Sequence, residues 1–526
     1  MRKTILLFLW LVFLNGIAGY SQQKPEYIKK LENKAARHFA MGDFLLAMHN
    51  YAKLYEADSS NLFYMSRLAY SYIDAERKIR EAIRLLKKYK DNGGQEDNDY
   101  FYHLGKAYMY DVKIEKALKI FARYQFRETG DKKKDKMERL RSQEVQRLVE
   151  MCHNANALLA HPVRVKFENL GPNINSSHDD YLPFLINGGK TLLFTSNKYF
   201  DSFFEVYTQN IYQSNKVNGK WSFAKPMKKL NSEDNEELVS ISPDGKVMFV
   251  RNNFYEDFST LLVAIRKGKT FKYPPENHVQ MAFPPKMYYM GGSYNTQTKT
   301  LYVAYGETYK SQYDIYKIQE LPDGTWSQPE KLPPAINTPY NEAYPIINAT
   351  GDTLYFASEG HNSMGGYDIF YSVLKDGKWQ KPVNLGYPIN STFDNYSIVY
   401  THNKKYAYVA ANRADGYGGK DIYRLNFEDK DEPLCLIQGY IYIKEGDKEI
   451  KFTEHPDDFN VIVKNTAGVV VAKYKMQKNK NKFIAILPSG TYNLIISHNG
   501  FKEKIIKIKL TEDDRMIEKN ITVEKS

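Results

Sequence analysis

Two glycine-rich segments, Gly360-His361-Asn362-Ser363-Met364-Gly365-Gly366-Tyr367-Asp368 and Ala414-Asp415-Gly416-Tyr417-Gly418-Gly419-Lys420-Asp421, contain the residue types of a phosphate cradle or a serine nucleophile elbow. A phosphate loop needs Gly-Lys-Ser/Thr ahead of a helix, and neither segment supplies it. A nucleophile elbow reads Gly-x-Ser-x-Gly, and His361 stands where its first glycine belongs. The segments match one another at a spacing of about 53 residues, so they read as recurrent turns. Asp314, Asp368 and Asp421 fall in separate repeats and read as turn residues, not as a metal cluster.

Carboxylate pairs offer general acid–base chemistry, and Asp179-Asp180 with Glu233, Asp234, Glu236 and Glu237 are candidates. They read as loop residues ahead of strands and recur in part at Asn341-Glu342. The 11 histidines form no His-Glu-x-x-His, and His153 and His161 lie near a helix end. Cys152 and Cys435 are the only cysteines and read as two buried thiols, with no disulfide required. Lys132, Lys133, Lys134, Lys136, Arg139, Arg141 and Arg147 are interrupted by Asp131, Asp135, Glu138 and Glu144, so they form a solvated helix and not a nucleic-acid surface. No catalytic residue, cofactor or metal is expected, and the chain reads as a non-enzyme.

Four regions must position these residues. Arg2 and Lys3 precede the apolar run Ile5–Phe13 and the small residues Gly16, Ala18 and Gly19, the pattern of a signal peptide over 1–21. The formal net charge of +12 becomes +10 without Arg2 and Lys3. No later stretch is long and apolar enough to span a bilayer, so any membrane association is expected to run through a partner.

Residues 24–160 show helical periodicity. Ala47, Ala82 and Ala117 are spaced by 35 and 35, each with a large side chain four residues on: Tyr51, Leu86 and Phe121. Ala35-Ala36 with Phe39, Leu68-Ala69 with Tyr72, and Leu104-Gly105 with Tyr108 repeat in parallel. This pattern resembles the tetratricopeptide repeat, in which a small residue on one helix lets its partner approach. A helix from about Lys134 to Leu159 reads as its cap. The resemblance implies a groove for partner proteins lined by Lys30, Asn33, Arg37, Ser66, Tyr70, Tyr102, Lys106 and Tyr110.

Over 163–428 the period changes. Second strands at Leu192, Met248, Leu301, Leu354 and Ala407 are spaced 56, 53, 53 and 53 apart. Third strands centred on Ile211, Leu262, Ile315, Ile369 and Ile422 are spaced 51, 53, 54 and 53. A fourth strand opens on Trp221, Phe271, Trp326 or Trp379 but is missing after Tyr423. Its match is at the start, where Asn169-Leu170-Gly171 and Ile174-Asn175-Ser176 align with Asn384-Leu385-Gly386 and Ile389-Asn390-Ser391. A five-bladed β-propeller closed by 163–172 is expected. Ser242-Pro243-Asp244-Gly245-Lys246 and the strand after it resemble the WD40-like repeat of TolB, with the second unit weakest.

After a charged linker, 429–433, the region 433–526 alternates like a β-sandwich. Leu487-Pro488-Ser489-Gly490-Thr491-Tyr492, with Gly500-Phe501, resembles the carboxypeptidase regulatory-like domain, with a type IX sorting domain as rival. The fold class is thus an α-solenoid, an all-β five-bladed propeller and a C-terminal sandwich. This order resembles envelope proteins of Bacteroidetes-type bacteria that end in an OmpA-like domain, including a type IX secretion and gliding component. The chain stops at Ser526 without that domain, so peptidoglycan binding is not carried over. The resemblance implies a periplasmic or outer-membrane-associated scaffold for envelope proteins, without nucleic acid. The alternative is a glycan-binding or enzymatic protein using the propeller mouth.

Overall fold

The computed structural model describes residues 25–526 except 203–204, 233, 243, 255–257, 269, 274–286, 309–311, 402–403, 428–433, 453–458, 478–481, 512–513 and 515. The signal sequence, Glu233, Pro243 and the 429–433 linker therefore lie outside the described residues. The chain divides into two compact units, Met1–Ala160 and His161–Ser526.

The first unit holds seven described helices: α1 (Glu26–Met41), α2 (Phe44–Ala57), α3 (Leu62–Asp74), α4 (Ile79–Asp91), α5 (Asn98–Tyr110), α6 (Ile114–Phe121) and α7 (Lys132–Ala160). Asp43, Asn61 and Asp97 cap α2, α3 and α5, each accepting a backbone N–H three residues on, as short polar N-caps do. Each helix packs on the next. Ala47, Ala82 and Ala117 are 0% exposed, and Tyr51, Leu86 and Phe121 are buried beside them. At Gly105 an added Cβ would sit 2.3 Å from the Phe121 ring, so hydrogen alone lets α5 and α6 approach this closely.

The second unit opens with five radial sheets. Blades 1 to 4 run over 180–226, 235–272, 288–331 and 342–384. Blade 5 combines Ile398–Tyr400, Tyr406–Asn412 and Lys420–Asn426 with Lys166–Asn169. Lys166–Asn169 lies antiparallel to the third strand, with Phe167 opposite Leu425 and Glu168 opposite Arg424. Arg424 Nη2 donates to Glu168 Oε2 at 2.6 Å across that pair. The sheet faces are covered by neighbouring blades, so Thr191–Ser196 in a second strand is buried throughout.

The recurrent tryptophan has a direct use. Trp379 of blade 4 meets Tyr302 of blade 3 edge-on at 6.4 Å, Trp326 of blade 3 meets Phe249 of blade 2 at 6.4 Å, and Trp221 of blade 1 meets Tyr408 of blade 5 at 6.4 Å. In these three blades the tryptophan thus staples its blade to the one before it with an edge-to-face aromatic contact. Blade 2 has four strands despite its weak sequence match, and Phe271 is buried in place of tryptophan.

The C-terminal strands form one nine-stranded curled sheet, in which the pairings of Met476 with Phe483 and Gln477 with Lys482 join the two strand groups expected of a sandwich. Its core gathers Ile437, Phe459, Val461, Phe483 and Leu494, among others. Cys435 is buried here and Cys152 in α7, both as free thiols.

Candidate functional site

The eight helical candidates do not share one open face. Lys30, Asn33 and Arg37 on α1 are exposed, with Lys30 bridged to Glu26 at 2.8 Å. Ser66 is buried, its Oγ donating to the Phe63 carbonyl at 3.1 Å. Tyr70 is buried and stacks on His103 at 3.8 Å. Tyr102 is buried, its hydroxyl bonded to Glu144 of α7 and its ring covered by Arg141 at 4.1 Å. Lys106 Nζ donates to Asp74 at 3.0 Å, and half-buried Tyr110 lies 5.9 Å away.

This arrangement corrects the expected groove: Ser66, Tyr70, Tyr102 and Lys106 are engaged internally. Spacing identifies which face of a helix is special, but not that α7 lies against it. Burial disfavours the Asp74 charge, yet Lys106 and His103 outweigh it and hold the carboxyl well below the usual range. Burial alone would lower Lys106, but Tyr102, Tyr110 and Asp74 hold it above its ordinary value. The cluster is a closed charge network.

In the propeller the candidate acids serve the blades. Asp180, Glu236 and Glu342 sit in first strands and receive a hydroxyl four residues back: Ser176 at 2.8 Å, Ser232, and Thr338 at 2.7 Å. Glu236 and Glu237, expected in a loop, lie instead in the strand Asn235–Ile241, whose alternation sends them to opposite faces. Burial pushes Asp180 up to about 6 and Glu342 up to about 7, against the hydrogen bonds they accept. Asp368 is pushed up to about 7 in the same way, although Met364 N–H and Asn384 Nδ2 donate to it at 2.9 and 2.7 Å. Asp421 is held by Tyr417 N–H and Asn169 Nδ2 at 2.7 and 2.8 Å.

The glycine-rich segments are close-approach turns. A Cβ on Gly366 would lie 1.9 Å from Asp394 Oδ1, and one on Gly418 would lie 2.2 Å from the His178 carbonyl. Each loop therefore rests on the entry to the next blade. Ser363 Oγ is buried and shares its one proton between the Ser358 and Gly360 carbonyls, 2.7 and 2.6 Å away, as a turn residue does.

A charged clamp drawn from three blades has no counterpart in the repeat pattern. Arg251 Nη2 donates to Glu237 Oε2 at 2.8 Å, and its Nη1 donates to the Tyr289 carbonyl of blade 3 at 2.6 Å. Tyr181 of blade 1 donates its hydroxyl to the same Glu237 oxygen at 3.2 Å. Burial pushes the Glu237 carboxyl up, and Arg251 opposes the shift. The only sequence signal was Arg251 directly after the apolar second strand Val247-Met248-Phe249-Val250.

A cleft of about 430 Å³ lies against blades 1 and 2, lined by Phe223, Met227, Leu230 and Phe271, with Lys225, Lys228 and Lys229 beside them. Among the described residues no group of three or more His, Cys, Asp or Glu side chains is placed to hold a metal. No described helix is long and apolar enough to cross a membrane.

These features define a five-bladed β-propeller protein with a helical N-terminal unit. No protein-family model and no curated protein matches the chain. Among solved structures it is similar to TolB from Agrobacterium tumefaciens, at 11% identity over 67% of this chain and 92% of that one, TM-score 0.30. A Bombyx mori GH32 β-fructofuranosidase gives 11% identity over 70% and 93%, TM-score 0.35. A glycosyl hydrolase from Bacteroides ovatus gives 11% over 47% and 84%, TM-score 0.31. At such scores these likenesses carry no functional argument.

Proposed function

We propose that the chain is a non-enzymatic envelope scaffold. In this reading a tetratricopeptide-like solenoid, the propeller and a regulatory-like C-terminal module dock partner proteins. The protein is exported through 1–21, lies in the periplasm at the inner face of the outer membrane, and serves type IX secretion or gliding machinery as an accessory. The observation that carries the reading is the use of the acids: Asp180, Glu236, Glu342, Asp368 and Asp421 are each tied to hydrogen-bond donors of the blade framework. The lysine-edged cleft of blades 1 and 2 offers apolar contact suited to a protein partner.

A second reading, a glycan-binding or hydrolytic propeller mouth, draws on the exposed rings of Tyr199 and Phe200 at the end of a blade 1 strand and of Tyr340 and Tyr417 in blade loops. Crosslinking in native cells, followed by proteomics, separates the two. The scaffold reading expects a reproducible set of envelope proteins. Retention or turnover of an envelope sugar by purified protein, lost in Tyr199→Ala and Tyr417→Ala, establishes the second reading instead.

A further inference from the structure

The C-terminal sheet has a lysine-rich outer face ending in an apolar tip. The strands Asn460–Asn465, Val470–Gln477, Gly490–Ser497 and Lys504–Leu510 contain Lys464, Lys473, Lys475, Lys504, Lys507 and Lys509 and no acidic residue. Val461, Val463, Leu494, Ile508 and Leu510 turn into the core. Strand alternation therefore puts Lys464, Lys473, Lys507 and Lys509 on the opposite face. Register aligns them: Lys464 lies opposite Asn493, Asn493 opposite Lys507, and Thr491 opposite Lys509. Ile462, Ile495 and Ile505 form an adjoining cross-strand row on the same face.

The hairpin that joins the first two of these strands lies at the same end. Val469, Val470 and Val471 there are 58%, 44% and 46% exposed. Val463 pairs with Ala472 and Lys464 with Val470, so Val471 is a bulged residue without an opposite number. Val469 ends the turn and Val470 and Val471 open the strand, so three consecutive β-branched residues are exposed to water, which is costly. Exposed valines beside lysines, on strands that carry no acidic residue, match the apolar boundary and the phosphates of an anionic lipid surface. Asp514, after the last of these strands, is held by Thr511 N–H and Oγ1 at 2.7 and 2.8 Å.

We propose that this tip and the lysine face together form a peripheral contact for an anionic phospholipid surface. The valines enter the headgroup boundary while Lys464, Lys507 and Lys509 meet lipid phosphates. The inference is independent of the scaffold reading, and it replaces the expectation that membrane association needs a partner.

The test is co-sedimentation of the whole mature protein with vesicles of phosphatidylcholine alone or with about one-third phosphatidylglycerol. Binding is expected on the anionic vesicles only and falls with salt. Each Lys→Gln change lowers partitioning about fivefold, from roughly 1 kcal/mol per basic residue near an anionic surface. Val469→Ser with Val470→Ser weakens binding with circular dichroism unchanged. Val469→Cys carrying an environment-sensitive dye, with native Cys152 and Cys435 buried, shifts to the blue only on anionic vesicles. Equal retention on both vesicles, or on neither, overturns the proposal. So does binding that a soluble acidic polypeptide abolishes without any dye shift, which assigns the face to an acidic protein.

Discussion

The side-chain amide of Asn175 brackets Ile422 across 247 residues of sequence: Oδ1 accepts the Ile422 N–H at 2.8 Å, and Nδ2 donates to its carbonyl at 3.0 Å. Asn231 does the same to Ile211, Asn337 to Ile315 and Asn390 to Ile369. In blades 1, 3, 4 and 5 one asparagine thus locks the loop entering the following blade to the middle of the third strand. In blade 5 that lock holds the two ends of the ring together.

Asn337→Ala leaves a buried N–H and carbonyl without a partner, and is expected to cost about 2–4 kcal/mol in urea unfolding. Asn337→Asp costs more, since its carboxylate faces the Ile315 carbonyl. Asn175→Ala is expected to speed hydrogen exchange first at 166–175. Uniform speeding across all five blades contradicts its role as the ring's lock.

The Glu237–Arg251 pair is almost fully buried, with side chains 1% and 10% exposed. Glu237→Ala strands the guanidinium and is expected to destabilise by about 3–5 kcal/mol. The double variant Glu237→Leu, Arg251→Met recovers most of that loss. A double variant no more stable than the single one contradicts this account of the clamp.

Buried acids of the propeller and Asp74 of the helical unit respond to pH with opposite sign. Asp180, Glu342 and Asp368 have raised values of about 6, 7 and 7, so they bind protons more tightly folded than unfolded. Their stabilisation is full below the ordinary carboxylate value near 4 and is lost as pH rises through about 6 to 7. Asp74 is depressed, so its contribution is present above the ordinary value and is lost as pH falls below it. Pulse-labelling exchange, quenched at one pH after urea exposure at several, reads the units separately. Asp368→Asn is expected to flatten the propeller's slope and Asp74→Asn the helical unit's.

Gly105→Ala gains about 1 kcal/mol of helix propensity, yet its methyl meets the Phe121 ring. Overpacking of about 1–3 kcal/mol outweighs that gain, so thermal unfolding of the helical unit is expected to fall. Phe121→Leu in the same chain restores part of it.

What could be read from the sequence was what repeats. Trp221, Trp326 and Trp379 recur because each meets the preceding blade's aromatic. Asn169 and Asn384 stand in shared Asn-Leu-Gly runs because each donates to its blade's Asp421 or Asp368. The Glu237–Arg251 clamp was hidden because it occurs once and takes partners from three blades. The helical groove was over-read because periodicity placed Tyr102 on a face but could not show Arg141 and Glu144 against it. The single C-terminal sheet was hidden in one short pairing, Met476 with Phe483.

The scaffold reading is tested most directly by in-cell crosslinking of the tagged full-length protein, with quantitative proteomics against a tag-only strain. The account predicts enrichment of a small, reproducible set of envelope proteins, reduced when Phe223→Asp and Met227→Asp place charge in the cleft of blades 1 and 2. No enriched envelope protein, together with turnover of an envelope glycan by the purified chain, contradicts it.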